Sequence, residues 1–315
     1  MEKPLKHRLE PGKFEDPEVT GKGERRAKVP LNALETLWFN TGSLCNLTCG
    51  NCFMESSPKN DRLVYITREE VAGYLEEIKR EGMGTRLIGF TGGEPFMNPQ
   101  FLPILETCLA EGFEVLVLTN AMRPMMKCAA PLAALGKRYG ERLTIRVSLD
   151  HYSKALHEAE RGLRSWAPTV KGLQWLAAKG FHLHVAGRHF GDEPEADLRN
   201  GFARLFATLG LEIDCQDPWQ LVLFPEMDET LDVPEITEAC WDILGVRPES
   251  VMCASSRMVV KRKGAAAPVV LPCTLLPYDP QFEMGRHLAE ASGAVALNHP
   301  HCARFCVLGG AACSG

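Results

Sequence analysis

No stretch of the 315-residue chain strings together the roughly 20 apolar residues that a membrane-spanning helix needs. The N-terminus lacks the apolar core of a secretory signal. Neither sign of charge dominates: 35 Lys and Arg stand against 40 Asp and Glu, for a net charge of −5 and a pI near 6.0. Such a balance gives no electrostatic reason to expect nucleic acid or an anionic membrane surface as a partner. These absences predict a cytoplasmic protein. The length is enough for one large domain with an appendage around a single sizeable core.

Thiols, by contrast, are plentiful, with twelve cysteines. The chain is too long for a disulfide-stapled mini-domain and carries no export signal, so reduced thiols are expected. Three of them fall in Cys45-Asn46-Leu47-Thr48-Cys49-Gly50-Asn51-Cys52-Phe53. Thiolates so spaced can converge on one side of a tight loop and suit a soft metal, either zinc or an iron–sulfur cluster. Three ligands leave one coordination position for something else. A structural zinc loop, or three ordinary buried cysteines, would satisfy the spacing equally. Further along, Thr91-Gly92-Gly93-Glu94-Pro95 follows an apolar run.

Strand-like and helix-like segments alternate from about 34 to 225, which predicts an α/β fold with parallel strands. Strands are expected over 37–41, 86–90, 113–119, 142–149, 181–185 and 220–224. A capping box at Thr67 and Glu70 opens a helix through about residue 80. Further helices are expected over about 99–111, 125–138, 154–160, 167–179 and 194–209. Residues 1–30, polar and broken by Pro4, Pro11, Pro17 and Pro30, read as a loosely ordered lead-in.

Strand parity sorts the side chains. Leu143, Ile145, Val147 and Leu149 share one face, while Thr144, Arg146, Ser148 and Asp150 share the other. In the next strand Leu183 and Val185 oppose His182, His184 and Arg188. The apolar faces are expected to meet outer helices and the polar faces to line a lumen. A solvated edge strand would give the same alternation.

The cysteine loop and the Gly-Gly-Glu turn together resemble the radical S-adenosylmethionine (SAM) superfamily, and the six strands resemble its partial (β/α)6 barrel. The resemblance implies that Cys45, Cys49 and Cys52 hold three irons of a [4Fe-4S] cluster, with SAM chelating the fourth. It implies reductive cleavage of SAM to methionine and a 5′-deoxyadenosyl radical, which takes a hydrogen atom from a substrate. Glu94 is then expected to accept from the SAM amino group, with Gly92 and Gly93 permitting close backbone approach. Asn120, Ser148 and Asp150 stand at carboxyl ends of strands, where active groups of such barrels gather. They are expected to contact the cofactor, Ser148 and Asp150 at its ribose or methionine end. Arg188, or more weakly Arg161, would pair with a SAM or substrate carboxylate. His151 and His157 are expected to be structural or solvent-facing. Asn51 stands where family members usually carry an aromatic residue, and Phe53 follows.

Cys253 and Cys273 flank a predicted hairpin, 257–263 with 268–271, and the tail adds Cys302, Cys306 and Cys313. This region resembles the SPASM/Twitch extensions of the superfamily. It implies one auxiliary [4Fe-4S] cluster held by Cys253, Cys273, Cys313 and either Cys302 or Cys306; a structural zinc site would use the same thiolates. Cys108, Cys128, Cys215 and Cys240 are expected to be inert buried thiols.

The expected organisation is a lead-in over 1–30, a radical SAM barrel over 31–228 and a cluster region over 229–315. The expected function is a radical SAM oxidoreductase or bond-forming enzyme acting on a small molecule or peptide. Flavodoxin or ferredoxin would supply electrons. The rival is a non-catalytic zinc-binding regulatory or structural protein, which has no use for Glu94, Ser148 and Asp150 at strand ends. Arg146, His182 and His184 on the polar face favour a small anionic substrate.

Overall fold

The computed structural model describes residues 8–310 apart from Asp192 and Glu226. Six strands run parallel in chain order: β1 (Thr36–Asn40), β2 (Leu87–Thr91), β3 (Glu114–Thr119), β4 (Leu143–Ser148), β5 (His182–Arg188) and β6 (Leu221–Phe224). Between them lie α1 (Arg68–Glu81), α2 (Phe101–Ala110), α3 (Arg123–Lys127), α4 (Ala129–Tyr139), α5 (Lys154–Arg161), α6 (Trp166–Ala178) and α7 (Glu195–Leu209). Two later strands, β7 (Ser256–Val260) and β8 (Val269–Leu271), extend the sheet. Its order is β6-β5-β4-β3-β2-β1-β7-β8, so the partial barrel stays open between β6 and β8.

Local chemistry explains the elements. The Thr67 hydroxyl accepts from the Glu70 amide at 3.2 Å, and the Glu70 carboxylate accepts from the Thr67 amide at 2.9 Å, which closes the first turn of α1. Val71, Tyr74, Leu75 and Ile78 recur at helical spacing and bury the inner stripe of that helix. The segment expected as one helix over 125–138 is two, α3 and α4, parted at Cys128. Pro131 falls in the first turn of α4, where its missing N–H leaves no intrahelical bond unmade.

The parity reading holds on the outer face. Leu143, Ile145, Val147, Leu149, Leu183 and Val185 bury in one core with Leu173, Leu176, Phe202 and Phe206 of the helices. Each such side chain contributes about 1.5–3 kcal/mol by leaving water. On the inner face Arg146 donates to the Trp219 carbonyl at 3.3 Å, and His182 meets the Thr144 hydroxyl at 2.9 Å.

A second core fills the inner face and is shared with the C-terminal region: Trp38, Leu116, Met258, Val260, Leu271 and Phe305 belong to it. Trp38 pairs across the ladder with Gly89, where a Cβ would lie 2.3 Å from the indole ring. The hairpin of β7 and β8 forms as the sequence suggests. Its docking is new: β7 pairs parallel with β1, from Thr36↔Ser256 to Phe39↔Val259, and covers a strand edge that would otherwise expose its amides and carbonyls.

The lead-in corrects the sequence expectation. Residues 8–30 are pinned to the later chain by backbone pairing of Lys28–Val29 with Val295–Ala296 and by a buried ion pair. Arg26, fully sealed from water, meets the Glu235 carboxylate at 2.6 Å, and that carboxylate also accepts from the amides of Phe14 and Gly21 at 2.7 Å each. The polar composition hid this because the ordering charges find their partners some two hundred residues away. Breaking a buried pair strands the remaining charge, at about 3–5 kcal/mol. Arg26→Met should therefore lower the urea midpoint steeply, whereas Arg25→Met, an exposed pair with Glu238, should change it little. Equal midpoints for the two variants would show that the Arg26–Glu235 pair does not hold the lead-in.

Candidate active site

The carboxyl ends of all six strands open on one cavity of about 130 Å³. Cys45, Cys49 and Cys52 from the loop after β1 form one wall. Gly92 and Gly93 after β2, Asn120 after β3, Ser148 at the end of β4 with Asp150 beyond it, and Arg188 at the end of β5 complete the ring. Glu94 alone among the expected cofactor residues of the barrel is absent from the wall.

Burial sets the protonation of this ring. The Cys45 thiol is pushed up to about 12 by burial, with the Glu94 charge adding to it. Burial also raises Cys49, against the pull of Arg161. Iron must therefore displace protons as it binds. The loop carrying the thiols is anchored at its far side. Asn51 donates to both Glu160 oxygens at 3.0 and 2.9 Å, and the Gly50 amide donates to the Glu160 carbonyl at 2.8 Å. The residue that departs from the family pattern thus has a polar partner of its own on α5.

Glu94 lies behind the wall. Its carboxylate accepts from the Thr119 hydroxyl at 2.8 Å and from the amides of Asn120 and Phe96 at 2.9 and 3.3 Å. Burial pushes its pKa up to about 7 in spite of these donors. Asp150 is held below the usual carboxylate range: burial pushes it up, but Arg161 and Arg188 outweigh that. Arg161 grips it with two hydrogen bonds of 2.8 and 3.0 Å, so Arg161, the weaker candidate from sequence, is the anchor of this corner. Arg188 stands 3.8 Å from Asp150, with its Nε and Nη1 buried and without hydrogen-bond partners. Arg188 lines the cavity, and a guanidinium with unpaired donors fits an incoming carboxylate. The residues therefore suit a thiolate-bound cluster beside an amino-acid ligand.

The rest of the wall was not singled out from sequence. Phe53, Met54, Leu118, Ala186, Phe224 and Met227 line it, and the C-terminal region contributes Thr274, Leu275 and Phe305. Phe224 and Phe305 pack with ring centroids 5.5 Å apart. No charge pattern marks such positions, which become neighbours only when the tail folds over the barrel mouth. Arg146, His182 and His184 lie outside this wall, Arg146 in the middle of β4 and the two histidines toward the amino end of β5. The expectation of a small anionic substrate, which rested on them, loses its support. His151, rather than being free, meets Glu193 at 2.9 Å, and His157 is buried against Trp166.

In the C-terminal region Cys253, Cys273, Cys302 and Cys306 line a second, narrow cavity with His301. Cys302 and Cys306 share a π-helical turn, Cys302–Val307, a form that recurs at functional sites. Cys313, expected as a ligand, lies outside the described residues. Of the four thiols expected to be inert, Cys108 and Cys215 are buried, while Cys128 and Cys240 are half-buried. Among the described residues no three His, Cys, Asp or Glu side chains converge on one point closely enough for a single metal ion. A cubane asks for less, because each thiolate binds a different iron.

The Glu94 shift has a signed consequence. Its pKa is 4.5 ordinarily and about 7 in the iron-free folded chain. The folded state binds the proton more tightly, so this group's contribution is fully present below pH about 4.5 and is lost as pH rises through about 7. The iron-free wild type should lose melting temperature relative to Glu94→Gln across that window. Parallel curves for the two proteins would contradict the assignment of the shift to Glu94.

The family model described as the Radical SAM superfamily matches residues 39–200, just over half of the chain. The antilisterial bacteriocin subtilosin biosynthesis protein AlbA of Bacillus subtilis is 31% identical over 53% of this chain and 35% of its own length. The mycofactocin maturase MftC of Mycobacterium ulcerans is 33% identical over 44% of this chain and 35% of its own. The chain thus spans about a third of the length of these curated relatives. Among solved structures, Streptococcus suis SuiB bound to S-adenosylmethionine superposes with a TM-score of 0.59 over 80% of this chain and 63% of that one, at 13% identity. Native anSMEcpe with bound AdoMet gives 0.57 over 81% of this chain and 79% of that one, at 14% identity. These likenesses show a shared fold that reaches beyond the barrel. The chain belongs to the radical SAM superfamily, whose cofactors are a [4Fe-4S] cluster and SAM.

Proposed function

We propose that this enzyme cleaves SAM reductively and uses the resulting radical to oxidise, or form a bond in, a peptide. The observation that carries the reading is the convergence of Cys45, Cys49 and Cys52 with the orphaned donors of Arg188 in one cavity. When bound, the cluster supplies the electron that splits SAM into methionine and a 5′-deoxyadenosyl radical. The chain's own groups hold and orient. Gly92 and Gly93 let the cysteine loop close against the turn and would border the methionine end, Arg188 would take the carboxylate, and Ser148 and Asn120 would meet the ribose. Glu94 braces Thr119 and Asn120, and its charge favours the SAM ammonium from behind the wall. An external donor such as flavodoxin or ferredoxin is proposed to deliver the electron.

The peptide reading rests on two supports. AlbA and MftC are named for the biosynthesis of a bacteriocin and the maturation of mycofactocin, and SuiB has been solved bound to its precursor peptide SuiA. The wall left over once SAM has taken the polar ring is apolar, with Phe224, Met227, Leu275 and Phe305. It suits an uncharged side chain. A second reading, a small-molecule substrate, is favoured by no specific contact.

The residues over 229–315 are proposed to form an auxiliary-cluster region of SPASM/Twitch type. Cys253, Cys273, Cys302 and Cys306 are its proposed ligands, with Cys313 as a spare thiol. Four thiols around one buried cavity satisfy the Cys₄ set of a cubane without it.

Reconstituted without oxygen and given a strong reductant, the protein should turn SAM into 5′-deoxyadenosine, and replacing Cys45, Cys49 and Cys52 together by Ala should abolish this. Nucleoside production surviving in the triple variant would sink the assignment. Iron should amount to about eight atoms per chain, four per cubane, and fall to about four in the triple variant. Zinc retained there in place of iron would overturn the auxiliary cluster.

A further inference from the structure

Arg257, on β7, has no exposed surface at all. Its guanidinium donates only to backbone carbonyls: Nε to Ala291 at 2.8 Å, Nη1 to Cys253 and Ser256 at 2.6 and 2.7 Å, and Nη2 to Gly293 at 3.2 Å. Among the described residues no carboxylate forms an ion pair with it, unlike buried Arg26, which has Glu235, and half-buried Arg161, which has Asp150. Carbonyl dipoles satisfy the donors but do not cancel the charge. A sealed, uncompensated cation costs several kcal/mol, and proteins avoid it unless an anion is at hand.

The anion is close by. Arg257 bonds the carbonyl of Cys253 directly, and β8 leads straight into Cys273. Burial pulls the Arg257 pKa down, and the groups whose negative charge opposes that pull are Cys253 and Cys273. Both cysteines line the C-terminal cavity with Cys302 and Cys306. As neutral thiols they leave the guanidinium unbalanced. As four thiolates on a cubane they carry net negative charge, which becomes one unit larger on reduction.

We infer that Arg257 is the built-in counter-charge of the auxiliary cluster, a positioning residue that raises the cluster's reduction potential by stabilising its reduced, more negative state. The inference rests on the auxiliary-cluster reading above. A guanidinium at fixed distance in a low-dielectric interior acts on the two redox states unequally, because the reduced cluster has the greater charge to attract. A neutral side chain at the same place removes that preference. A lysine keeps it.

The test uses the full chain in the Cys45/Cys49/Cys52→Ala background, so that any remaining cluster is the auxiliary one. Its midpoint is followed by electron paramagnetic resonance during a dithionite titration. Arg257→Gln should shift the one-electron equilibrium at least tenfold toward the oxidised cluster, a fall of about 59 mV. Arg257→Lys should stay within threefold of the parent. A second readout is the melting temperature before and after iron chelation. Removing iron should cost the parent more than Arg257→Gln, because only the parent is left with a stranded cation. An unchanged midpoint in Arg257→Gln, with the cluster intact, would overturn the inference and leave the auxiliary cluster standing. So would equal losses on chelation, or failure of both Arg257→Gln and Arg257→Met to fold with iron present, since Arg257 would then serve the backbone alone. Absence of iron in the background itself would instead remove the cluster reading, and this inference with it.

Discussion

The Gly93 amide donates to the Gly42 carbonyl at 2.8 Å, and the Glu94 amide donates to the Leu44 carbonyl at 3.1 Å. This short seam joins the turn after β2 to the start of the cysteine loop, and the geometry of the site depends on it. A Cβ at Gly93 would lie 2.1 Å from the Leu44 oxygen, so any other residue forces the two loops apart. With the seam closed, Cys45 is set at the cavity wall one residue beyond Leu44. The Glu94 side chain is turned away beneath Thr119 and Asn120, which fixes the turn after β3 in the same frame. Further along, Gly50 and Asn51 are tied to Glu160 on α5, so Cys45 and Cys49 hang between two anchored points and Cys52 follows the second.

The arginines of the interior find their partners in different ways. Arg26 has Glu235, and Arg161 has Asp150, each within 2.8 Å. Arg188 shares Asp150 at 3.8 Å and lines the cavity, with two side-chain nitrogens that have no hydrogen-bond partner. Arg257 has only carbonyls. Arg188 thus lies beside the first group of thiols and Arg257 beside the second. This is the pattern expected of sites completed by anionic groups from outside the polypeptide.

The division of the cores matters for the chemistry. Helices α1 to α4, α6 and α7 cover the outer face of the sheet with aliphatic and aromatic side chains, in a layer that needs nothing from the C-terminal region beyond β7, β8 and their neighbours. The inner core is different. Trp38 and Leu116 from barrel strands share it with Met258, Leu271 and Phe305. The same Phe305 reaches the cavity wall, so the packing that stabilises the tail also shapes the space open to substrate.

The alternation of strands and helices, the capping box of α1 and the facing of Ile145, Val147 and Val185 toward the helices were legible in the sequence. Each depends on residues within one turn or one strand, whose periods of 3.6 and 2 are fixed by backbone geometry. So was the placing of Cys45, Cys49 and Cys52 on one wall, because residues of one short loop stay together in space. Gly92, Asn120, Ser148 and Arg188 were found because parallel strands deliver their carboxyl ends to one side. The partners of those groups were not legible. Arg161 on Asp150, Glu160 on Asn51 and Glu235 on Arg26 are contacts between elements, and no local pattern encodes them. Sequence marked Arg257 only as part of a strand. That it is sealed from water, without a carboxylate and beside Cys253, was decided when β7 docked on β1, because burial and the distance between charges are properties of the folded chain alone.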